Sequence, residues 1–411
     1  MSLGTPRAAA QDRDVIAGIP VNYDEAKVGD YRVGLPELLR FDDGRPVTNA
    51  RQWQKRRAEI VRIFEENQFG RWPERRPALR FDVRQDCGLG GSAVRKQVSL
   101  YLSPDADGPR VDLLVYLPSD AAGPVPVLLN LSFSPNGECF SDPGVIPGCR
   151  WDAGTRTRVP AGPPPAAGTG MDGIVRKYLA EGFGFASLCY TDISPDFNDG
   201  GELGLRGRYR GAADDWGSIA AWAFGVSCVV DYFEKDPDVD ARRIALTGCS
   251  RLGKTTLWAG ARDPRIKVVI PSCSGEGGAA MSRRYFGETV AHLTAESRFP
   301  YQFCPQYARW GADVQRMPMD AHMLLALIAP RPLLLQTGTT DNWSDPRGEW
   351  VSLLEARTVY RLLDRDVPAA EDFPAAEQPV FHTLGYVMHE GGHGVLPQDW
   401  DYYLTFIKRY L

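Results

Sequence analysis

Short apolar runs alternate with longer amphipathic ones along most of this chain. Residues 49–67 place Trp53, Ile60, Ile63 and Phe64 on one stripe at helical spacing, which predicts a helix. Residues 94–102 and 111–117 are strand-like, and 125–133 is apolar enough for an interior strand. A Pro/Gly-rich tract, 136–170, comes next, then a helix over 171–181, a strand over 184–190 and a helix over 215–233. The remainder reads as a strand ending near residue 249, a helix over 255–262, and a strand over 268–271. After a long insertion come a strand over 331–338, a helix from about 346, a strand over 383–388 and an amphipathic segment, 399–411. This alternation predicts an α/β fold with a mostly parallel sheet covered on both faces. The 136–170 tract is too long for a simple connection and, with Arg150 and Trp151 inside it, predicts a packed insertion near the site.

The chemistry concentrates where an apolar strand runs into a turn, Gly248-Cys249-Ser250-Arg251-Leu252-Gly253-Lys254. A strand–turn–helix of this kind presents a serine Oγ beside the free N–H groups of a helix start, which suits a nucleophile that must also stabilise an oxyanion. The spacing is Gly-x-Ser-x-x-Gly, with Leu252 where the common elbow has glycine; an ordinary Gly-flanked turn would share it. The chain has five histidines. His393 lies between glycines on a loop that follows the last strand and precedes the last helix, the place of the base in an α/β-hydrolase. His389 directly follows the strand and reads as a residue that packs or orients that loop. The acid is Asp341, just past the penultimate strand, or alternatively Glu276, just past the strand before it. Asp345 precedes a proline at a helix start and reads as an N-cap.

Bulk properties narrow the possibilities. With 411 residues, 43% hydrophobic and 24% charged, the chain fits one large domain, here 1–411, with 1–75 as an N-terminal extension and helix before the catalytic core. A net charge of −5 offers no basic surplus for nucleic acid, and no apolar run is long enough to span a membrane. Eight scattered cysteines lack metal-ligand spacing, so neither metal nor cofactor is expected; Cys139 and Cys149 could form a bridge. The carboxylates at 192–199 lack the spacing of a calcium loop and are expected to be solvated or hydrogen-bonded. The opening Met1-Ser2-Leu3-Gly4 has no feature of a secretion signal.

The chain resembles the glucuronoyl esterases of carbohydrate esterase family 15, in their bacterial form. The elbow heptapeptide matches the Gly-Cys-Ser-Arg-x-Gly-Lys signature of that family. The similarity extends through Tyr190-Thr191-Asp192-Ile193-Ser194-Pro195-Asp196, Asp215-Trp216-Gly217-Ser218-Ile219-Ala220-Ala221-Trp222, Ile328-Ala329-Pro330-Arg331-Pro332, Asp341-Asn342-Trp343 and Gly392-His393-Gly394. The resemblance implies an α/β-hydrolase, a three-layer sandwich with long insertions, that cleaves the ester between 4-O-methyl-glucuronic acid on xylan and a lignin alcohol. It implies Ser250 as nucleophile, His393 as base, Arg251 at the oxyanion, Lys254 on sugar hydroxyls and Trp343 lining the uronate site. Glu288 and Glu296, expected on a helical stretch after Tyr285, could reach the sugar or sit on a helix surface. Fungal members carry the acid where this chain has Cys273, whereas many bacterial relatives place a carboxylate where Asp341 stands. The resemblance further implies a monomer, secreted or periplasmic, that needs no cofactor. Another carbohydrate esterase, such as an acetylxylan esterase, or an inactive carbohydrate-binding homologue would share the scaffold.

Overall fold

Nine strands form one sheet: β1 (Arg80–Gly88), β2 (Ala93–Tyr101), β3 (Arg110–Pro118), β4 (Val125–Ser132), β5 (Gly184–Cys189), β6 (Val239–Cys249), β7 (Ile266–Ser272), β8 (Leu333–Gly338) and β9 (Leu384–His389). The computed structural model describes residues 14–73, 76, 78, 80–105, 108–209 and 216–411. The order across the sheet is β9-β8-β7-β6-β4-β5-β3-β2-β1. From β9 to β5 all neighbours are parallel, and β5-β3, β3-β2 and β2-β1 are antiparallel. The parallel strands are apolar nearly throughout, because helices cover both their faces. β1, by contrast, is an edge strand whose side chains are mostly exposed.

The main helices are α1 (Ala50–Phe64), α2 (Asp172–Ala180), α3 (Ser218–Phe233), α4 (Arg251–Arg262), α5 (Pro346–Leu362) and α6 (Pro397–Tyr410). One core unites Trp53 of α1, Trp222 of α3, Trp258 of α4 and Trp350 of α5 against one sheet face. A second core packs Val175 and Tyr178 of α2 with Trp400, Tyr403 and Phe406 of α6 on the other. The result is the three-layer α/β-hydrolase arrangement. Most expected elements lie within a few residues of those observed; α4 begins earlier, at Arg251, directly after the turn, and the stretch after Tyr285 differs. Asp215 lies outside the described residues, and α3 is seen from Ser218.

Residues 136–170 do pack. They contain a two-stranded hairpin, Cys149–Asp152 with Thr157–Pro160, and Trp151 Nε1 donates to the Thr191 carbonyl at 3.0 Å. Cys139 and Cys149 are both free thiols. The stretch after Tyr285 is not a continuous helix. Gly287 takes φ +61, and a Cβ there would lie 2.4 Å from the Asn342 carbonyl oxygen, so the chain turns tightly before a short helix, Val290–Thr294. Among the described residues no helix is long and apolar enough to cross a membrane.

Candidate active site

β6 ends at Cys249, paired with Ser272 of β7, and the next residue turns sharply. Ser250 sits at φ 60°, ψ −125°, a conformation an L-residue holds only when its surroundings impose it. Its N–H donates to the Ser272 carbonyl at 2.8 Å, and its own carbonyl accepts from Gly253 and Lys254 in the first turn of α4. Both glycines of the motif are required by packing. A Cβ on Gly248 would lie 2.8 Å from the Leu252 carbonyl oxygen, and one on Gly253 would lie 2.8 Å from that of Ser272. The second glycine stands one position later than in the common elbow because Leu252 is fully buried in the core, while Gly253 faces β7. The half-buried Ser250 hydroxyl has no hydrogen-bond partner among the described residues.

His393 comes to the same end of the sheet on the loop after β9. That loop is fastened to the one after β8: Thr339 N–H donates to the His389 carbonyl at 3.0 Å and Thr340 N–H to that of Gly391 at 2.8 Å. Gly338 lets them pass, since a Cβ there would meet the Gly392 carbonyl oxygen at 2.3 Å. The fastening brings His393 Nδ1 to 2.7 Å from Oδ2 of the fully buried Asp341. An Nδ1–H donated to this carboxylate leaves Nε2 as the proton acceptor, the tautomer a base needs. Burial alone would depress the basicity of His393, but the hydrogen bond and charge of Asp341 outweigh it and raise the pKa to about 9.

Three neighbours without an assigned role in the sequence reading support this pair. Ser344 Oγ lies 3.2 Å from His393 Nδ1. Cys273 donates its thiol to the Gly394 carbonyl at 3.4 Å, tethering the residue after the histidine. Glu349 accepts from Gly275 N–H at 2.8 Å and Ser274 Oγ at 3.2 Å, holding the loop beyond β7 in place. Nothing local marks Glu349 in the sequence, whereas Ser344 could have been suspected from its place three residues after Asp341. The donor atoms of Cys273, Asp341 and His393 lie within 4.8 Å of one another, close enough for a metal ion, but the Asp341–His393 hydrogen bond already occupies one donor pair. His389 has the orienting position expected of it, with Nδ1 2.7 Å from Asp399 and Nε2 2.9 Å from the Gly392 carbonyl.

Glu276, the alternative acid, does not touch His393. Its Oε1 accepts from Ser282 Oγ at 2.5 Å, Gly277 N–H at 3.0 Å and Tyr307 Oη at 3.2 Å, and burial pushes its pKa up to about 8. The loop after β7 turns it into the interior, away from the histidine loop. Asp345 is the N-cap of α5, accepting from Gly348 N–H at 2.9 Å.

The remaining candidates divide. Lys254 is buried in the first turn of α4, its basicity lowered by burial against the pull of Glu288. Trp343 is half-buried and packs edge-on against His292, with ring centroids 5.3 Å apart. Glu288 is buried, its N–H donates to the Trp343 carbonyl at 2.9 Å, and its carboxylate pairs with Arg298 at 2.7 Å. Arg298 in turn lies over the Trp343 ring at 5.3 Å, so these groups form one wall. Glu296 is not part of it; it is exposed, beyond the end of the short helix that follows Glu288. Arg251, next to Ser250, stacks over Phe299 at 4.6 Å.

Known proteins share much of this sequence and its fold. A glucuronyl esterase family model, described from fungi, matches residues 207–364. A carbohydrate esterase of an unknown prokaryotic organism is 40% identical over 405 residues, covering 95% of this chain and 92% of that protein. The chain belongs to carbohydrate esterase family 15. A solved glucuronoyl esterase of this family from Solibacter usitatus is 41% identical, with a TM-score of 0.85 over 93% of this chain and 99% of its own. A family 15 esterase from a marine bacterial metagenome, described as promiscuous, is 40% identical with a TM-score of 0.86 over 95% of this chain and 100% of its own. A 4-O-methyl-glucuronoyl methylesterase of Wolfiporia cocos is 28% identical over 87% of this chain and 76% of that protein.

Proposed function

We propose that this chain is a serine esterase that hydrolyses the ester between 4-O-methyl-glucuronic acid of glucuronoxylan and a lignin alcohol, through an acyl-enzyme. The observation that carries the reading is the 2.7 Å contact between His393 Nδ1 and Asp341, on a loop brought to the same end of the sheet as Ser250. His393 Nε2 takes the Ser250 proton as Oγ attacks the ester carbonyl. The tetrahedral oxyanion is met by N–H groups at the start of α4 and by the Arg251 guanidinium. Imidazolium His393, stabilised by Asp341, then protonates the departing alcohol, and water reverses the sequence to free the uronic acid.

The sugar is assigned to the wall beside the nucleophile. Trp343 offers a ring face for stacking, while Lys254 and the Glu288–Arg298 pair offer donors and acceptors to hydroxyls. The enzyme acts as a single catalytic domain and monomer, outside the cell where its polymer lies, and needs no cofactor.

The test is turnover of a benzyl glucuronate ester beside acetylated xylan and 4-nitrophenyl acetate, using Ser250→Ala, His393→Ala, Asp341→Ala and Glu276→Ala. The glucuronate ester is the preferred substrate, the first two variants are inactive, and Asp341→Ala loses far more kcat than Glu276→Ala. Preference for acetylated xylan, or the reverse order of the two acids, overturns the reading.

A further inference from the structure

Asp196 stands in the loop after β5, eight residues before Gly204, and its side chain is 8% exposed. It has drawn four side-chain donors onto one carboxylate. Oδ1 accepts from Tyr301 Oη and from Gln302 Nε2, each at 2.8 Å. Oδ2 accepts from Tyr190 Oη at 2.5 Å and from Nη1 of Arg251. Four donors match the lone-pair sites of an ionised carboxylate. They come from the end of β5, from the turn after Phe299 and from the first residue of α4, three segments far apart in the chain.

Arg251 is thereby held in two ways. One guanidinium nitrogen is bonded to Asp196, and one face of the plane lies on Phe299 at 4.6 Å. Its Nε and Nη2 make no hydrogen bond among the described residues, so the residue that follows Ser250 keeps donors without a protein partner. An unrestrained arginine would have to surrender its rotamer freedom each time it met an oxyanion. A donor fixed beforehand avoids that reorganisation in the transition state.

We propose that Asp196 is the positioning residue of the oxyanion site, setting the orientation of Arg251 without itself touching the substrate. The inference rests on the acyl-transfer reading above. Two consequences separate it from a purely structural role. Asp196→Asn keeps the size of the side chain but not its charge, and it lowers kcat roughly 10- to 100-fold, the cost of a misplaced catalytic group, with KM changed less than about threefold. In an Arg251→Ala background the same substitution costs almost nothing, because the group it positions is gone. Added guanidinium ion restores part of the rate of Arg251→Ala, and restores none in Arg251→Ala/Asp196→Asn, which lacks the carboxylate that would dock it.

Kinetics on the benzyl glucuronate ester, or on whichever ester the wild type turns over best, test this directly. A second variant, Tyr301→Phe, removes one donor from Oδ1 while leaving the ion pair; it gives a smaller fall in kcat and serves if Asp196→Asn does not fold. An Asp196→Asn cost that persists in full without Arg251, or equal guanidinium rescue with and without Asp196, overturns the positioning role alone. An Arg251→Ala enzyme as fast as the wild type overturns the oxyanion assignment beneath it as well.

Discussion

Asp341 decides both which way His393 faces and how basic it is. Burial would lower the imidazole pKa below its ordinary 6.5, yet the contact with Asp341 carries it to about 9. The base acts only when neutral, so kcat/KM rises with pH and levels off near that value, falling about tenfold per unit below it. Asp341→Asn removes the raising interactions and leaves the effect of burial, which moves this acid limb to lower pH. It also releases the Nδ1–H tautomer, so the maximal rate falls on the order of 10³–10⁴-fold. A kcat/KM–pH profile of both proteins checks the two effects together; an unmoved limb would mean that Asp341 is not the acid partner. Ser250, His393 and Asp341 were picked out in sequence because each follows a strand end, and the structure brings the last two into contact. Between Asp341 and Glu276 the local patterns were alike, and only the turn of the chain after β7, which buries Glu276 against Ser282 and Tyr307, separates them. Asp196 was expected to be a hydrogen-bonded loop carboxylate, and it is one, but three of its four donors stand 55 to 106 residues away, beyond what a local pattern can show.

The start of α4 follows Ser250, the proposed nucleophile, and its fit against β7 is set by Gly253. A methyl group there would lie 2.8 Å from the Ser272 carbonyl oxygen and 2.9 Å from Ser274 Cβ, and backbone cannot yield as a flexible side chain can. Gly253→Ala therefore pushes the first turn of α4 away from β7 and destabilises the protein by about 1–3 kcal/mol. The same displacement moves Ser250 and Arg251, which directly precede it, and costs roughly 10²-fold in kcat. Thermal melting and kcat measured on one preparation check both effects; a fully active, undiminished variant would show that the close approach is not needed. The strand-turn-helix order was readable because its parallel strands are continuous apolar runs. β1 was not singled out: Phe81, Val83 and Cys87 alternate with polar residues, but the pattern is short, breaks at Gln85 and lies on a mostly exposed edge strand. The expected helix after Tyr285 failed for a related reason: its composition suits a helix, but Gly287 is pinned against the backbone of Asn342 and Trp343, contacts made by a distant segment.

The wall of Trp343, Glu288 and Arg298, the proposed sugar site, does not belong to the sheet alone, because residues 19–25 are bonded to the segment that carries it. Asn22 Nδ2 donates to the Tyr285 carbonyl at 2.6 Å, Gly287 N–H donates to the Asn22 carbonyl at 2.8 Å, and Tyr285 Oη donates to the Pro20 carbonyl at 2.9 Å. His292, which packs against Trp343, has Nε2 3.3 Å from the Ile19 carbonyl. Arg284 joins Glu25 to Asp345, the N-cap of α5. Ser250, by contrast, is held by the end of β7 and the first turn of α4, and Asp341 and His393 by the loops at the strand ends and by each other. Removing residues 1–30 therefore separates binding from chemistry. Each lost hydrogen bond is worth about 0.5–1.5 kcal/mol, so the loop carrying Glu288 loosens, KM for a glucuronate ester rises roughly tenfold, and kcat changes much less. For a small ester without the sugar, such as 4-nitrophenyl acetate, neither constant moves appreciably, since that substrate does not use the wall. Comparing the two substrates on the shortened chain decides it: an equal loss on both would mean that the N-terminal segment supports the fold as a whole and not the sugar site.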